Sequence, residues 1–295
     1  MKISRMDLAD TGSPMGLVTK ILSVEKDLPI PVPIEELAKQ LDIEKIAPLE
    51  TEGFEGGLVT DDARSTGFIL VNRAAPSGRR RFTIGHELGH FLIVSHKPVE
   101  AGKFLCSRAD MAKWSTDQGD RYVRMEAEAN EFSGLLLIPP PALRRFIPKG
   151  DPTLAHIPLV AKHFDVSKEA AARAYARYHH EKLAIVVIKD GIVRRAHKGP
   201  TFPWISVAYG KPVPRASSFY KKDLRQRVAS EVSSIVPEHW VDLKQGQRAE
   251  LFEQVYPQQD GYALLMLWLE IEEDEEADDD RTSAQRFRDQ QARWR

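Results

Sequence analysis

At 295 residues the chain has room for two domains, and its 42% apolar fraction is that of an ordinary globular protein. Its 42 Lys and Arg against 43 Asp and Glu leave a formal charge of −1, which argues for no class of partner. The single cysteine, Cys106, excludes an internal disulfide framework and fits a reducing compartment. The start turns polar too soon for a signal peptide, and the apolar runs near Leu135 and Leu264 are too short to cross a bilayer, so a cytoplasmic chain with no membrane partner is expected.

In chain order, residues 14–27 and 33–42 read as two short helices, the second opened by Pro33 with Ile34, Leu37 and Leu41 on one face. They are expected to cap the domain that follows. Residues 45–49, 54–60 and 67–72 read as strands separated by Gly and Asp turns. Next comes Arg80-Arg81-Phe82-Thr83-Ile84-Gly85-His86-Glu87-Leu88-Gly89-His90-Phe91-Leu92. Ile84, Leu88, Phe91 and Leu92 recur at the spacing of one helical face. Residues four apart lie on the same side of a helix, so His86 and His90 can share one metal ion. Neutral imidazole suits zinc, and a catalytic zinc takes three protein ligands with a fourth position left for water. Glu87 would stand beside that position as the base that takes a proton from the water and delivers it to a leaving amine. Gly85 and Gly89 each cost such a helix about 1 kcal/mol relative to Ala, which implies another backbone packed closely against that stripe.

The polar segment Ser95–Arg121 is expected to wall or cover the cleft. His96, Tyr122 or an arginine of this segment are candidates to stabilise an oxyanion. Cys106 reads as a redox-sensing thiol or transient zinc ligand, or as a small buried hydrophobe, the commoner fate of a lone cysteine. A second helix, Arg124 to Pro139, ends in a triple proline. It presents Glu126 as third ligand, with Asn130 one turn on to hydrogen-bond a ligand imidazole. Small residues Ala127, Ala129, Ser133 and Gly134 permit close packing on the first helix. Glu128 points elsewhere and reads as a solvated carboxylate.

Residues 153–180 have the form of a helix-turn-helix, with Ser167 as N-cap of an alanine-rich second helix. The basic excess is small for a DNA surface, so docking on the preceding domain or on a protein is favoured over direct DNA binding. From Leu183 the period becomes that of strands: 183–188 and 192–196 as a hairpin about Asp190-Gly191, then 204–209, 239–243, 248–257 and 260–271, with a helix near 221–232. No chemistry-bearing pattern occurs there, so this part is expected to position a substrate or sense a signal. The acidic run 272–280 and the Arg-rich 281–295 read as a solvated, flexible tail.

Arg81-Phe82-Thr83-Ile84-Gly85-His86-Glu87-Leu88-Gly89-His90, then Glu126-x-x-x-Asn130-x-Phe132, then Leu136-Leu137-Ile138-Pro139, together resemble the ImmA/IrrE family of bacterial zinc metallopeptidases over roughly residues 30–140. The resemblance implies a small zincin-like domain in which His86, His90 and Glu126 hold Zn2+ and Glu87 is the general base. It further implies a function in controlling XRE-type helix-turn-helix repressors, and thereby stress-response or mobile-element genes. Many family members begin with such a DNA-binding domain and this chain does not, so the repressor is expected to be a separate protein encoded nearby. In zincin-like folds an extended substrate can add to an edge strand near the active site; segment 56–72 is expected to supply that edge, or else to be scaffold only. The chain thus reads as α+β: a zincin-like domain over 1–147, a helix-turn-helix-like segment over 148–180, a mostly antiparallel α/β domain over 181–271 and a tail over 272–295. Two functions fit, an endopeptidase acting on a repressor and a zincin-shaped regulator that acts by binding a repressor or DNA. Glu87 favours the first, because a pure binding protein needs no base beside a metal.

Overall fold

A computed structural model describes residues 1–49, 53–97, 102–107, 109–112, 120–221, 223, 226–243 and 248–271. The fold is mixed α and β, and the chain divides into two compact units, one of Met1–His180 with His197–Pro200 and one of the remainder. The tail expected over 272–295 lies outside the described residues. No described helix is long and apolar enough to cross a membrane.

In the first unit, helix α1 (Pro14–Val24) starts where Ser13 accepts a bond from the Gly16 amide and Pro14 takes the first helical position. It buries Leu17, Val18 and Ile21, and α2 (Ile34–Gln40) buries Ile34, Leu37 and Ala38. Both helices are shorter than their patterns suggest. The strands are β1 (Ile43–Leu49), β2 (Phe54–Thr60), β3 (Gly67–Asn72) and β4 (Lys103–Ser107), in sheet order β1-β3-β2-β4. β1 runs parallel to β3, whereas β2 is antiparallel to both of its neighbours.

This order corrects the expected edge. Segment 56–72 supplies the two central strands, and the outer strand on its far side is β4, drawn from the stretch read as a polar wall. Strand β4 has only five residues, with Phe104 and Cys106 turned inward between more exposed neighbours. An alternation that short inside polar sequence has no periodicity to announce it; pairing with β2 is what makes it a strand.

Helix α3 (Ser77–Leu92) lies against β2 and β3, and α4 (Arg121–Leu137) packs along α3. Asp120 caps α4 by accepting from the amides of Tyr122 and Val123 at 2.8 and 3.2 Å. After α5 (Pro140–Phe146) come α6 (His156–Phe164) and α7 (Lys168–Tyr178), joined through Asp165 at φ 49° and capped by Ser167. This helix pair docks on the metal-motif helix. Ser77 Oγ donates to Asp165 at 2.9 Å, Arg81 lies 3.4 Å from the same carboxylate, and the Gly78 Cα approaches the Val166 backbone.

The second unit is a five-stranded antiparallel sheet in the order β6-β5-β11-β10-β8, made of β5 (Leu183–Lys189), β6 (Ile192–Lys198), β8 (Ser233–Ile235), β10 (Ala249–Pro257) and β11 (Tyr262–Ile271). Strands β7 (Trp204–Ile205) and β9 (Val241–Asp242) form a separate two-residue pair, much shorter than the expected 204–209 and 239–243. Asp190 and Gly191 both adopt positive φ at the β5–β6 turn, as a tight hairpin requires. The helix expected near 221–232 is not formed among the described residues of that span, apart from Lys221 ending a single 3-10 turn. Instead the Ser230 amide donates to Val255 O at 2.8 Å and Ser230 Oγ accepts from Val255 N at 3.0 Å. Pairing with β10 thus satisfies backbone groups that a helix would have paired locally.

Candidate metal centre

Helices α3 and α4 run antiparallel, so residues rising along one meet residues falling along the other. Their approach is set by glycine. A Cβ on Gly85 would stand 2.5 Å from Ser133 Oγ, and one on Gly89 would stand 3.1 Å from Phe132 Cδ1 and 3.3 Å from Ala129 Cα. The same approach brings Glu126 to both motif histidines: Oε2 is 3.3 Å from His86 Nε2 and Oε1 is 3.5 Å from His90 Nε2, while the two Nε2 atoms are 3.0 Å apart. All three side chains are buried. Cys106, from β4, joins them. Its Sγ lies 3.7 Å from His90 Nε2, and the donor atoms of His86, His90, Cys106 and Glu126 all fall within 4.8 Å of one another.

These residues fit a metal ion. Imidazole nitrogen, carboxylate oxygen and thiol sulfur are the donors of zinc-type centres, and Glu126 Oε2 is buried without a hydrogen-bond partner. Such an orphan is costly unless something absent from the protein itself satisfies it. Each ring also has its far nitrogen oriented. With Nε2 turned to the centre, His86 Nδ1–H donates to Asn130 Oδ1 at 3.0 Å, and His90 Nδ1–H donates to His96 Nδ1 at 2.9 Å. His96 Nε2–H in turn meets Glu128 at 3.0 Å.

That chain corrects two expectations. His96 cannot serve as an oxyanion donor, because both of its nitrogens are engaged behind His90 and only 2% of it is exposed. Glu128 is not a solvated surface carboxylate but the end of the chain that orients a metal-motif histidine. No local pattern marks either role, since His96 and Glu128 come from different elements. Tyr122 remains half-buried on the first turn of α4. Burial, together with Glu126, Asp110 and Cys106 nearby, raises its phenol above the ordinary range and so keeps it a neutral donor.

Arg64 is a site residue that sequence reading missed. Its guanidinium donates to the carbonyls of His90, Phe91 and Ile93 at 2.9, 3.2 and 2.9 Å, and to that of His96. A cation there caps the open carbonyls at the end of α3 and pins the loop that carries His96. Its only signal is a positive φ of 52°, invisible in one sequence.

Electrostatics separate the two buried carboxylates. Burial works against the Glu126 anion, but the two imidazoles hold it well below the usual carboxylate range. Burial pushes Glu87 up to about 7, against the pull of His86 and of the neighbouring Cys106 thiol. Both Glu87 oxygens are buried without a hydrogen bond. Desolvation likewise lowers His90 to about 4, and it raises the Cys106 thiol, which faces Glu87 and Glu126. One acid held ionised among the donors beside one poised to exchange a proton is the division of labour expected of metal-assisted hydrolysis.

Similarity to known proteins bears on this centre. No curated protein sequence matches the chain. Among solved structures it resembles a Mycobacterium tuberculosis transcriptional regulator, with a TM-score of 0.52 at 13% identity, covering 86% of this chain and 75% of that one. This shows a shared fold. Residues 44–175, which hold all four donors and Glu87, match the family model Peptidase_M78, described as the IrrE N-terminal-like domain. Over these residues, a little under half of the chain, it matches the IrrE-like peptidase domain that its histidine and glutamate motifs resemble.

Proposed function

We propose that the chain is a zinc-dependent endopeptidase that cleaves an XRE-type helix-turn-helix repressor encoded nearby and so derepresses stress or mobile-element genes. The observation that carries this reading is Glu87, a buried carboxylate without a hydrogen bond, placed beside a donor set. His86, His90 and Glu126 would hold the ion. A bound zinc supplies Lewis acidity, which polarises a carbonyl and acidifies water. Glu87 accepts the water's proton at a carboxylate oxygen and passes it to the leaving amine. Tyr122, at the start of α4, is one candidate to donate to the developing oxyanion, beside an arginine of the segment before it. A substrate strand adds to the outer edge of β4, since β2 occupies the inner one.

The helix-turn-helix-like pair supports a docking role rather than a DNA-reading one. α7 buries Ala171, Ala172, Ala174, Tyr175 and Ala176, and its Arg177 is paired with Glu131 at 2.9 Å. A regulator that acts by binding alone is favoured only by the fourth donor, Cys106, and it leaves Glu87 unexplained. The test is to incubate the purified, zinc-loaded protein with the neighbouring repressor. Discrete cleavage that Glu87→Gln and chelation both abolish is expected, with no digestion of casein. Broad proteolysis, or an intact repressor beside a fully loaded enzyme, would defeat the proposal.

A further inference from the structure

We propose that Cys106 is the fourth donor of the metal centre, so that the peptidase at rest is closed by its own thiolate and a substrate can be cut only after the sulfur has left. The inference rests on the metallopeptidase reading above and adds a regulatory state to it.

Geometry comes first. A tetrahedral ion with bonds of about 2.0–2.3 Å holds its donors about 3.3–3.6 Å apart. The separations here are 3.0 Å between the two histidine Nε2 atoms, 3.3 and 3.5 Å from Glu126 to each of them, and 3.7 Å from Cys106 Sγ to His90 Nε2. Cys106 Sγ is thus within reach of the remaining position of such a set, the four donor atoms all lying within 4.8 Å of one another.

A second observation concerns Glu87. Gly56 on β2 lies opposite Cys106 in the strand register, and a Cβ there would come within 2.9 Å of Glu87 Oε1. The carboxylate is thus seated beside the strand pair that carries the thiol, with both oxygens buried and the Cys106 thiol facing it. A permanently closed, structural centre has no use for such a group. A centre that opens does.

The proton balance follows from the same neighbours. When Cys106 binds, its S–H bond breaks, the sulfur takes the metal position, and the proton passes to Glu87. The closed state is inactive because the sulfur fills the position that water needs. On opening, Glu87 returns the proton to sulfur and is again free to act. Cys106 lies on the strand whose outer edge has no partner strand among the described residues. A peptide adding to that edge therefore acts on the element that bears the lock.

The experiment uses the full-length protein loaded with zinc or cobalt(II). X-ray absorption should find one sulfur at about 2.3 Å from zinc, and the cobalt form should show a thiolate charge-transfer absorption that Cys106→Ser removes. Acetohydroxamate, which needs an open position, should bind zinc-loaded Cys106→Ala at least tenfold more tightly than the wild type. Zinc bound one per chain with only nitrogen and oxygen neighbours, or equal acetohydroxamate affinity in both proteins, would overturn the closure and leave the peptidase reading standing. Failure of the wild type to bind zinc at all would overturn both. The absorption measurement is made on the wild-type chain, so it does not depend on how the variants fold.

Discussion

Replacing Gly85 by alanine tests the packing that brings the third donor to the histidines. Helix propensity alone favours the change by about 1 kcal/mol. The structure opposes it, since the new Cβ would stand 2.5 Å from Ser133 Oγ, 3.2 Å from Ser133 Cβ and 3.3 Å from its Cα. Swinging the hydroxyl away breaks its buried 2.8 Å bond to Phe82 O, a loss of about 1–3 kcal/mol. Moving α4 instead costs about 1–3 kcal/mol of core strain. Either cost, less the propensity gain, leaves a net destabilisation of up to about 2 kcal/mol, read as a lowered urea midpoint at unchanged m-value. Glu126 lies two turns along the same helix, and site geometries tolerate only about 0.5 Å of error, so zinc affinity measured by chelator competition should fall at least tenfold. The double variant Gly85→Ala/Ser133→Gly restores the space and should recover about 1–3 kcal/mol through coupling of the two sites. A Gly85→Ala protein that is stabilised by about 1 kcal/mol and binds zinc normally would show that propensity governs and that the close approach does not matter.

Glu87→Gln should keep its metal while losing about 10²–10⁴ in turnover; loss of zinc in that variant would make Glu87 a ligand instead. The same substitution isolates a pH effect in the metal-free protein. The folded-state pKa of about 7 lies above the ordinary glutamate value of 4.5, so the Glu87 contribution is fully present below pH 4.5 and is lost as pH rises through 7. Urea melts in chelator should therefore show Glu87→Gln gaining on the wild type by roughly 2–3 kcal/mol between pH 5 and 8, and parallel curves would contradict the burial argument. His96→Ala, which removes the orienting partner of His90, should weaken zinc binding by about 10–100-fold and also destabilise the chelated protein by about 1–3 kcal/mol, because it leaves buried His90 Nδ1 unpaired. Arg64→Ala should destabilise the first unit by about 1–3 kcal/mol, with Arg64→Lys recovering part of it; a neutral result by calorimetry would show that solvent satisfies those carbonyls equally well.

Local periodicity carried what could be read from the sequence. His86 and His90, and likewise Glu126 and Asn130, are each four residues apart in strongly periodic segments, so helix geometry alone puts each pair on one side of its helix. Gly85 and Gly89 could be read for the same reason: glycine in a helix is a local cost whose only return is closeness, and Ser133, Phe132 and Ala129 are what lie close. Tertiary structure decided the rest. Cys106 reaches the donors because a five-residue strand pairs with β2, and that pairing also makes β4 the edge in place of 56–72. His96, Glu128 and Arg64 acquire their partners across turns and from separate elements, where no spacing rule operates. Near 221–232 a plausible helical pattern gives way because β10 offers the Ser230 backbone a partner. A chain announces the contacts it makes within one helix through its own period, whereas contacts between elements depend on which surfaces meet, and only the folded molecule settles that.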